Sequence, residues 1–343
     1  MLKITINDQM YNAPPGMTIL QVCRQEGIDI PTFCNDPRLK PGGTCRMCVV
    51  EIEGRSNLLQ SCAVPVSDGM VVKTHSAEVR EQRKAILEGL LENHNTDCLV
   101  CEATGDCKLQ DYAYEYGVHS SKFIPREENI VIETEVFKLD LSKCIRCGLC
   151  VKVTQNLQLC EAISFKGKGI KDPDFGFEFD DEKCVRCGNC VAVCPVGALQ
   201  PIKDTSFREN QVTTVRSTCS YCSVGCQLDY KVKNNRIVDV RPAMDAWNQG
   251  MLCVKGRFAY HYVNDENRLT TPLIKRDGKF EEASWEEAYS LITERFSETK
   301  EKYGADKLGI ISSAKITNEE SYLAQKLARA VIGTNNVDHC SRL

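Results

Sequence analysis

The sequence predicts an α+β protein made of several small domains. Its length of 343 residues favours more than one domain, and 42% hydrophobic with 26% charged residues is typical of a globular chain. Near the start, Leu2, Ile4 and Ile6 alternate as in a strand, whereas the apolar residues between 77 and 93 have helical spacing. Most of the 21 cysteines stand at short, repeated spacings, which indicate compact metal-binding modules rather than one continuous core.

Charge and hydropathy narrow the classes of partner. With a net charge of −4 and acidic and basic residues mixed throughout, the chain has no basic stripe for a nucleic acid. It has no apolar run of about 18 residues, and its first residues lack the pattern of a signal peptide. We therefore expect a cytoplasmic chain with no membrane span and no nucleic-acid partner. In a reducing compartment, such dense cysteines indicate metal ligands rather than disulfides.

Residues 1–76 form the first predicted domain, which is rich in strands. A short helix from Thr18 is ended by Gly27, and later strands cover residues 49–52 and 70–72. Four cysteines lie there at the close spacing that an iron-sulfur cluster requires: Cys34, Cys45, Cys48 and Cys62. Zinc is the alternative for any four-cysteine set. The spacing resembles the β-grasp [2Fe-2S] domain at the start of the large peripheral subunit of respiratory complex I.

A helix-and-loop module over residues 77–118 is predicted to hold a second cluster. Its helix presents an apolar face from Ile86 to Leu91 and leads directly to His94. The candidate ligands are His94, Cys98, Cys101 and Cys107. The composition would also suit zinc, and His94 could be an ordinary surface residue. The arrangement resembles the [4Fe-4S] module with one histidine and three cysteine ligands in complex I subunits, iron-only hydrogenases and formate dehydrogenases, where imidazole ligation raises the potential.

Residues 137–205 contain a repeated cysteine pattern. The segments CIRCGLC and CVRCGNCVAVCP begin at Cys144 and Cys184. This is the pattern of bacterial ferredoxins with two [4Fe-4S] clusters, in which the remote fourth cysteine completes the other cluster. The first predicted set of this module is therefore Cys144, Cys147, Cys150 and Cys194.

The second ferredoxin set departs from that pattern at one position. The reciprocal ligand is expected at residue 154, which is Thr154, and the next cysteine is Cys160. We predict that Cys160, on a longer loop, completes the second set: Cys160, Cys184, Cys187 and Cys190. If Cys160 cannot reach the other three, the second cluster is labile or absent.

Residues 212–268 contain a fourth kind of motif, TCSYCSVGC followed by GMLCVKGRF. Its candidate ligands are Cys219, Cys222, Cys226 and Cys253. The motif resembles the N-terminal [4Fe-4S] domain of the molybdenum or tungsten bis-pterin oxidoreductases. That resemblance implies that Lys255 relays electrons between cluster and pterin, whereas a solvated surface lysine is the alternative. Only Cys23, expected in the core of the first domain, and Cys340 remain outside the five sets.

Residues 269–343 change in character and predict the start of an α/β domain. Capping boxes begin helices at Ser284 and Thr317, and a β run between them, residues 308–311, is expected to lack a partner strand. The closing residues RAVIGTNNVDHCSRL resemble the formate dehydrogenase segment that precedes the residue binding molybdenum or tungsten. We hypothesise that the chain is the front part of a selenocysteine enzyme, read as far as its UGA codon. Cys340 would then neighbour the metal site without being its ligand.

The order of these modules favours the catalytic subunit of a cytoplasmic formate dehydrogenase. Its implied cofactors are one [2Fe-2S] cluster, four [4Fe-4S] clusters and, in the full-length protein, bis-molybdopterin guanine dinucleotide with Mo or W. Formate would be the substrate, and the partner a flavin subunit using NAD, a hydrogenase or a ferredoxin. The chain alone is expected to be inactive with formate. The alternatives are a non-catalytic electron-conducting subunit and a complex I-like NADH-quinone oxidoreductase-G subunit.

Overall fold

The computed structural model describes residues 1–119, 131–167, 176–203 and 206–340. It divides into two compact units, Met1–Val212 and Thr213–Leu343. Both units mix helices with small sheets. In the described ranges, no helix is both long and apolar enough to cross a membrane.

The chain begins with a mixed five-stranded sheet whose order is β2-β1-β5-β3-β4. Its strands are β1 (Leu2–Ile6), β2 (Gln9–Ala13), β3 (Val49–Ile52), β4 (Leu59–Gln60) and β5 (Met70–Lys73). Helix α1 (Ile19–Gln25) begins at a capping box on Thr18. Ile4, Ile6 and Cys23 belong to the buried core of this domain, so the expected core position of Cys23 is confirmed.

Two helices follow, α2 (Ala77–Leu91) and α3 (Lys108–Glu115). Helix α2 begins after Ser76, whose side chain accepts a hydrogen bond from the Val79 N–H. The buried stripe of α2 consists of Val79, Arg83, Leu87 and Leu91. The sequence pattern predicted its apolar end but missed Arg83, because a charged side chain interrupts hydrophobic periodicity.

The next part of the first unit contains small sheets and two helices that begin in the same way. Strands β6 (Val131–Glu133), β7 (Phe137–Asp140) and β10 (Leu199–Pro201) form one sheet, and β8 (Ile163–Lys166) pairs with β9 (Gly176–Phe179). Helices α4 (Leu149–Asn156) and α5 (Asn189–Val193) each begin after a glycine in the left-handed region, Gly148 (φ 76°) and Gly188 (φ 70°). Because left-handed backbone favours glycine, the repeated CG pair fixes how the chain leaves each cysteine loop and enters a helix.

The second unit begins with an antiparallel meander of β11 (Thr213–Thr218), β12 (Gln227–Lys233) and β13 (Arg236–Pro242). A short helix, α6 (Val254–Phe258), and the hairpin of β14 (Leu273–Arg276) and β15 (Lys279–Glu282) follow. Buried Leu228, Val240, Leu252 and Tyr260 form the core of the meander.

The remaining elements are α7 (Trp285–Tyr303), β16 (Ile310–Ser312), α8 (Asn318–Lys326), a π-helical turn (Leu327–Ile332) and β17 (Val337–His339). Both predicted capping boxes, on Ser284 and Thr317, are confirmed. The expectation that the β run lacks a partner was wrong, because β16 pairs in parallel with β17. The partner strand is short and polar, so it carries no alternation that the sequence pattern could reveal.

Candidate iron-sulfur sites

Local turns and strand pairing bring the first four cysteines together. Cys45 and Cys48 lie on the turn before β3, and the Cys45 N–H points to the Cys34 Sγ at 3.5 Å. The pairing of β3 with β4 brings Cys62 close to Cys48. Ser61, the residue before Cys62, donates hydrogen bonds from its N–H and its hydroxyl to the Cys48 carbonyl at 3.0 and 2.7 Å. Cys34, Cys48 and Cys62 are buried.

The pKa shifts of these four thiols show that they interact. A hydrogen bond from the Cys45 thiol lowers the pKa of Cys34 to about 5, and one from Cys62 lowers the pKa of Cys48 to about 7. The pKa values of Cys45 and Cys62 are raised by these same bonds and by burial. Each of these hydrogen bonds joins two thiols of the set, so Cys34 lies next to Cys45 and Cys48 next to Cys62.

The second set lies between α2 and α3. The Cys101 N–H donates to the Cys98 carbonyl at 3.3 Å, and Cys107 is the residue immediately before α3. Burial and the neighbouring cysteines raise the pKa of Cys98 and Cys107. His94 follows the end of α2 and is only 7% exposed, so it is not the surface residue that the alternative required. Its role as a ligand remains a prediction.

The ferredoxin-like part contains two cavities, and each is lined by four cysteines. The first cavity is lined by Cys144, Cys147, Cys150 and Cys194 together with apolar side chains. The second is lined by Cys160, Cys184, Cys187 and Cys190. The structure therefore groups these eight thiols in the two sets that the sequence predicted. Burial, followed by charges of neighbouring cysteines, raises the pKa of Cys147 and Cys150.

Thr154 explains how Cys160 reaches the second cavity. The Thr154 side chain is buried, and its hydroxyl donates to the carbonyls of Val151 and Ile163 at 2.9 and 3.2 Å. The Thr154 carbonyl accepts hydrogen bonds from the N–H groups of Cys160 and Glu161 at 3.0 and 3.1 Å. Thr154 thus has a structural role at the usual ligand position and holds the turn that carries Cys160.

The fifth set lies in the second unit. Cys219, Cys222 and Cys226 lie between β11 and β12, where the Cys219 N–H donates to the Cys226 carbonyl at 2.8 Å, and Cys253 is the residue before α6. The pKa of Cys226 is raised by partial burial and by the charges of the other three cysteines, so all four thiols are near neighbours. Lys255, in α6, is exposed. Its predicted relay role remains a prediction.

Cys340 directly follows strand β17. It is exposed, with its Sγ 3.8 Å from the Ser313 hydroxyl oxygen, and a hydrogen bond from the Ala314 backbone lowers its pKa. Residues 341–343, which complete the predicted formate dehydrogenase segment, lie outside the described residues.

The first three donor sets share one apolar core. Cys34, Cys107 and Cys147 are buried members of that core. In addition, the Thr44 hydroxyl, next to Cys45, donates to the Cys147 carbonyl at 3.1 Å. This convergence is a property of the tertiary structure, since the three cysteines are far apart in the sequence.

The donor chemistry of the sets fits iron-sulfur clusters. Each set offers three or four sulfur donors, the ligands that hold such clusters, and two sets surround apolar cavities. In the described part of the chain, no three or more His, Cys, Asp or Glu side chains form a group that could hold a single metal ion.

Three residues near these sets were not among the functional residues that the sequence predicted. Arg83 donates to backbone carbonyls beside Cys48. Gly197 lies against the Cys101 thiol. Arg208 donates to the carbonyls of Leu99 and Cys101. The sequence hints to the first two are an arginine four residues from Val79 and from Leu87 in a helical pattern, and a glycine two residues after the Cys194-Pro195 pair.

Five families match successive parts of the chain. They are a 2Fe-2S iron-sulfur cluster binding domain (residues 1–77), the NADH-ubiquinone oxidoreductase-G iron-sulfur binding region (83–122), a 4Fe-4S dicluster domain (143–198), the molybdopterin oxidoreductase Fe4S4 domain (212–265) and molybdopterin oxidoreductase (268–343). Four of these families agree with the cysteine sets in indicating one [2Fe-2S] cluster and several [4Fe-4S] clusters, and the molybdopterin oxidoreductase families indicate a molybdopterin cofactor.

Curated relatives match along nearly the whole chain. The NADH-quinone oxidoreductase-G subunit 2 of Rhizobium meliloti is 37% identical over 100% of this chain. A protein of Bacillus subtilis named provisionally as formate dehydrogenase YrhE is 34% identical over 99%, and NADPH-Fe(3+) oxidoreductase subunit alpha of Geobacter sulfurreducens is 35% identical over 100%. The chain spans 40% of the length of each of these relatives.

One solved structure resembles the chain over a shorter region. It is a chain of an NAD+-reducing [NiFe]-hydrogenase in the H2-reduced state, with a TM-score of 0.54 and 31% sequence identity. The match covers 60% of this chain and 89% of the hydrogenase chain.

Proposed function

We propose that this chain, an iron-sulfur oxidoreductase chain that resembles formate dehydrogenases and the NADH-quinone oxidoreductase-G subunit, is the front part of a formate dehydrogenase catalytic subunit. The observation that carries the proposal is the fifth cysteine set (Cys219, Cys222, Cys226 and Cys253), which is followed directly by a molybdopterin oxidoreductase match over residues 268–343. The hydrogenase match covers only 60% of this chain. An electron-conducting chain alone has no need of a pterin-binding segment.

The described residues would serve the reaction by holding clusters rather than by contacting formate. The molybdopterin-bound metal supplies the redox chemistry of formate oxidation to carbon dioxide, or of the reverse reaction. The protein supplies thiolate ligands, distances between clusters and local charge. The five sets described above are the proposed ligands, with His94 as the one nitrogen donor.

We propose that electrons pass Lys255 to the cluster of Cys219, Cys222, Cys226 and Cys253. From there they would reach the two ferredoxin-like clusters, then the histidine-ligated cluster and the [2Fe-2S] cluster. The shared apolar core of the first three sets supports the later part of this route. The acceptor would be a partner subunit with flavin and NAD, a hydrogenase or a ferredoxin, as the multi-subunit relatives suggest.

A second candidate function is that of a complex I-like subunit, which binds the clusters without turning over formate. It is favoured by the 37% identity to the NADH-quinone oxidoreductase-G subunit 2 of Rhizobium meliloti. This candidate and a non-catalytic electron-conducting subunit make the same prediction, namely iron and sulfide without formate activity.

The test is to purify the native complex that contains this chain and to assay it for metals and activity. The proposal expects molybdenum or tungsten, a pterin, and reduction of a viologen dye by formate. A complex that contains the iron-sulfur clusters but neither pterin nor formate activity would overturn the proposal in favour of the second candidate.

A further inference from the structure

Arg83 is a buried charge in the middle of helix α2. It is 0% exposed. Its Nε donates to the Met47 carbonyl at 3.0 Å, its Nη2 to the Val49 carbonyl at 2.9 Å, and its Nη1 to the Tyr116 hydroxyl at 2.9 Å. Each of the three guanidinium nitrogens therefore makes a hydrogen bond, and the side chain is held in one position.

These three acceptors are neutral, so they satisfy the hydrogen bonds of Arg83 without balancing its charge. A guanidinium stays protonated in proteins, and burying a charge is costly unless an opposite charge lies near. Among the described residues, no carboxylate forms an ion pair with Arg83. A balancing negative charge must come from something other than the side chains that Arg83 contacts.

The position of Arg83 identifies the source of that charge. Met47 and Val49 flank Cys48, so the guanidinium holds the backbone on both sides of a proposed cluster ligand. Met47 is 0% and Cys48 1% exposed. In a region so poor in water, the interaction between two charges is screened much less than at the surface.

We infer that Arg83 is the charge partner of the [2Fe-2S] cluster and raises the reduction potential of that cluster. The inference rests on the proposed ligand set of Cys34, Cys45, Cys48 and Cys62. Four thiolates outweigh the positive charge of an iron-sulfide core, so the cluster is anionic, and reduction adds a further negative charge. A fixed cation nearby therefore stabilises the reduced form more than the oxidised form.

The same contacts link two modules of the chain. Arg83 lies on α2, which leads to His94 of the second donor set, while its acceptors Met47 and Val49 belong to the first domain. Binding of the [2Fe-2S] cluster should therefore also stabilise the packing of α2 against the first domain.

The test is a redox titration of the full chain carrying its clusters, followed by electron paramagnetic resonance. Arg83→Gln removes the charge and keeps a hydrogen-bond donor, whereas Arg83→Lys keeps the charge. We expect Arg83→Gln to shift the midpoint potential of the [2Fe-2S] cluster to a more negative value and to leave the [4Fe-4S] potentials unchanged. Arg83→Lys should stay near the wild-type potential. Tyr116→Phe, which removes a neutral partner of Arg83, should also leave the potential unchanged.

An unchanged [2Fe-2S] potential in Arg83→Gln, or an equal shift in all clusters, would overturn the inference. If Arg83→Gln does not fold, Arg83→Lys decides, since a large negative shift in that variant would contradict the role of charge. Urea unfolding gives a second readout, because Arg83→Gln should destabilise the cluster-loaded chain more than the cluster-free chain. A wild-type chain without a [2Fe-2S] signal would instead refute the site on which the inference rests.

Discussion

Gly197 lies against the thiol of Cys101, so that a Cβ added to Gly197 would stand 2.7 Å from the Cys101 Sγ. Gly197 follows the last cysteine of the ferredoxin-like part, whereas Cys101 belongs to the second donor set. Two residues before Gly197, the Pro195 carbonyl accepts a hydrogen bond from the Lys108 N–H at 3.0 Å. The backbone after Cys194 therefore connects two donor sets that we propose to be consecutive in electron transfer.

The contact between Gly197 and Cys101 predicts that Gly197→Ala weakens the histidine-ligated cluster. The added methyl group would also lie 3.2 Å from the Ala103 Cβ, so the loop carrying Cys101 must shift. Overpacking of this kind typically costs about 1–3 kcal/mol. Iron analysis and electron paramagnetic resonance of the reconstituted chain should show loss of this cluster signal before the others.

Gly89→Ala is the matched control for that substitution. Gly89 lies in α2, and a Cβ added there meets no atom within 4 Å. This variant should keep all cluster signals and gain roughly 1 kcal/mol of stability, since alanine is the better helix former. Equal cluster content in Gly197→Ala and Gly89→Ala would contradict the proposed close approach.

Cys160→Ser should remove one [4Fe-4S] cluster from the ferredoxin-like part. Cys160 lines the cavity that also contains Cys184, Cys187 and Cys190, and no other cysteine lines that cavity in the described residues. The iron content should fall by about four atoms per chain, the content of one such cluster. Cys23→Ser, which changes a buried thiol outside the five sets, should leave the iron content unchanged.

The double variant Cys160→Ser with Cys194→Ser tests how the eight cysteines are paired. The structure places Cys194 in the other cavity, with Cys144, Cys147 and Cys150. Because the two residues would serve different clusters, the iron losses should add to about eight atoms per chain. A double variant that loses no more iron than either single variant would mean that Cys160 and Cys194 serve the same cluster.

Lys255→Ala should slow electron transfer in the full-length enzyme without changing its cluster content. Lys255 is exposed and lies two residues after Cys253, so the substitution disturbs no described core. We expect formate to reduce the nearest cluster about tenfold more slowly, equivalent to about 1.4 kcal/mol in the barrier. Lys255→Arg keeps the charge and should retain most of the rate, and dithionite should reduce both variants normally. A full rate in Lys255→Ala would favour the solvated surface lysine.

Much of the candidate site was predictable because cluster ligands come from short, local patterns. The repeated CxxC spacings put Cys144, Cys147 and Cys150 in one predicted set, and the structure places these three around one cavity with Cys194. Even the irregular position was readable, since Thr154 signalled a missing ligand and Cys160 was the next cysteine along the chain. The pairing of β16 with β17 was not predicted, because a short polar strand has no periodicity to detect.

The sequence by itself determined the order of the modules and the cysteine spacings from which the candidate ligands are predicted, because loop spacing is a local property of the chain. Only the tertiary structure decided that Cys34, Cys107 and Cys147 share one core, that Gly197 lies against Cys101, and that Arg83 is buried beside Cys48. Each of these facts depends on contacts between residues distant in sequence. Such contacts follow from how helices and sheets pack, and no local pattern records that packing.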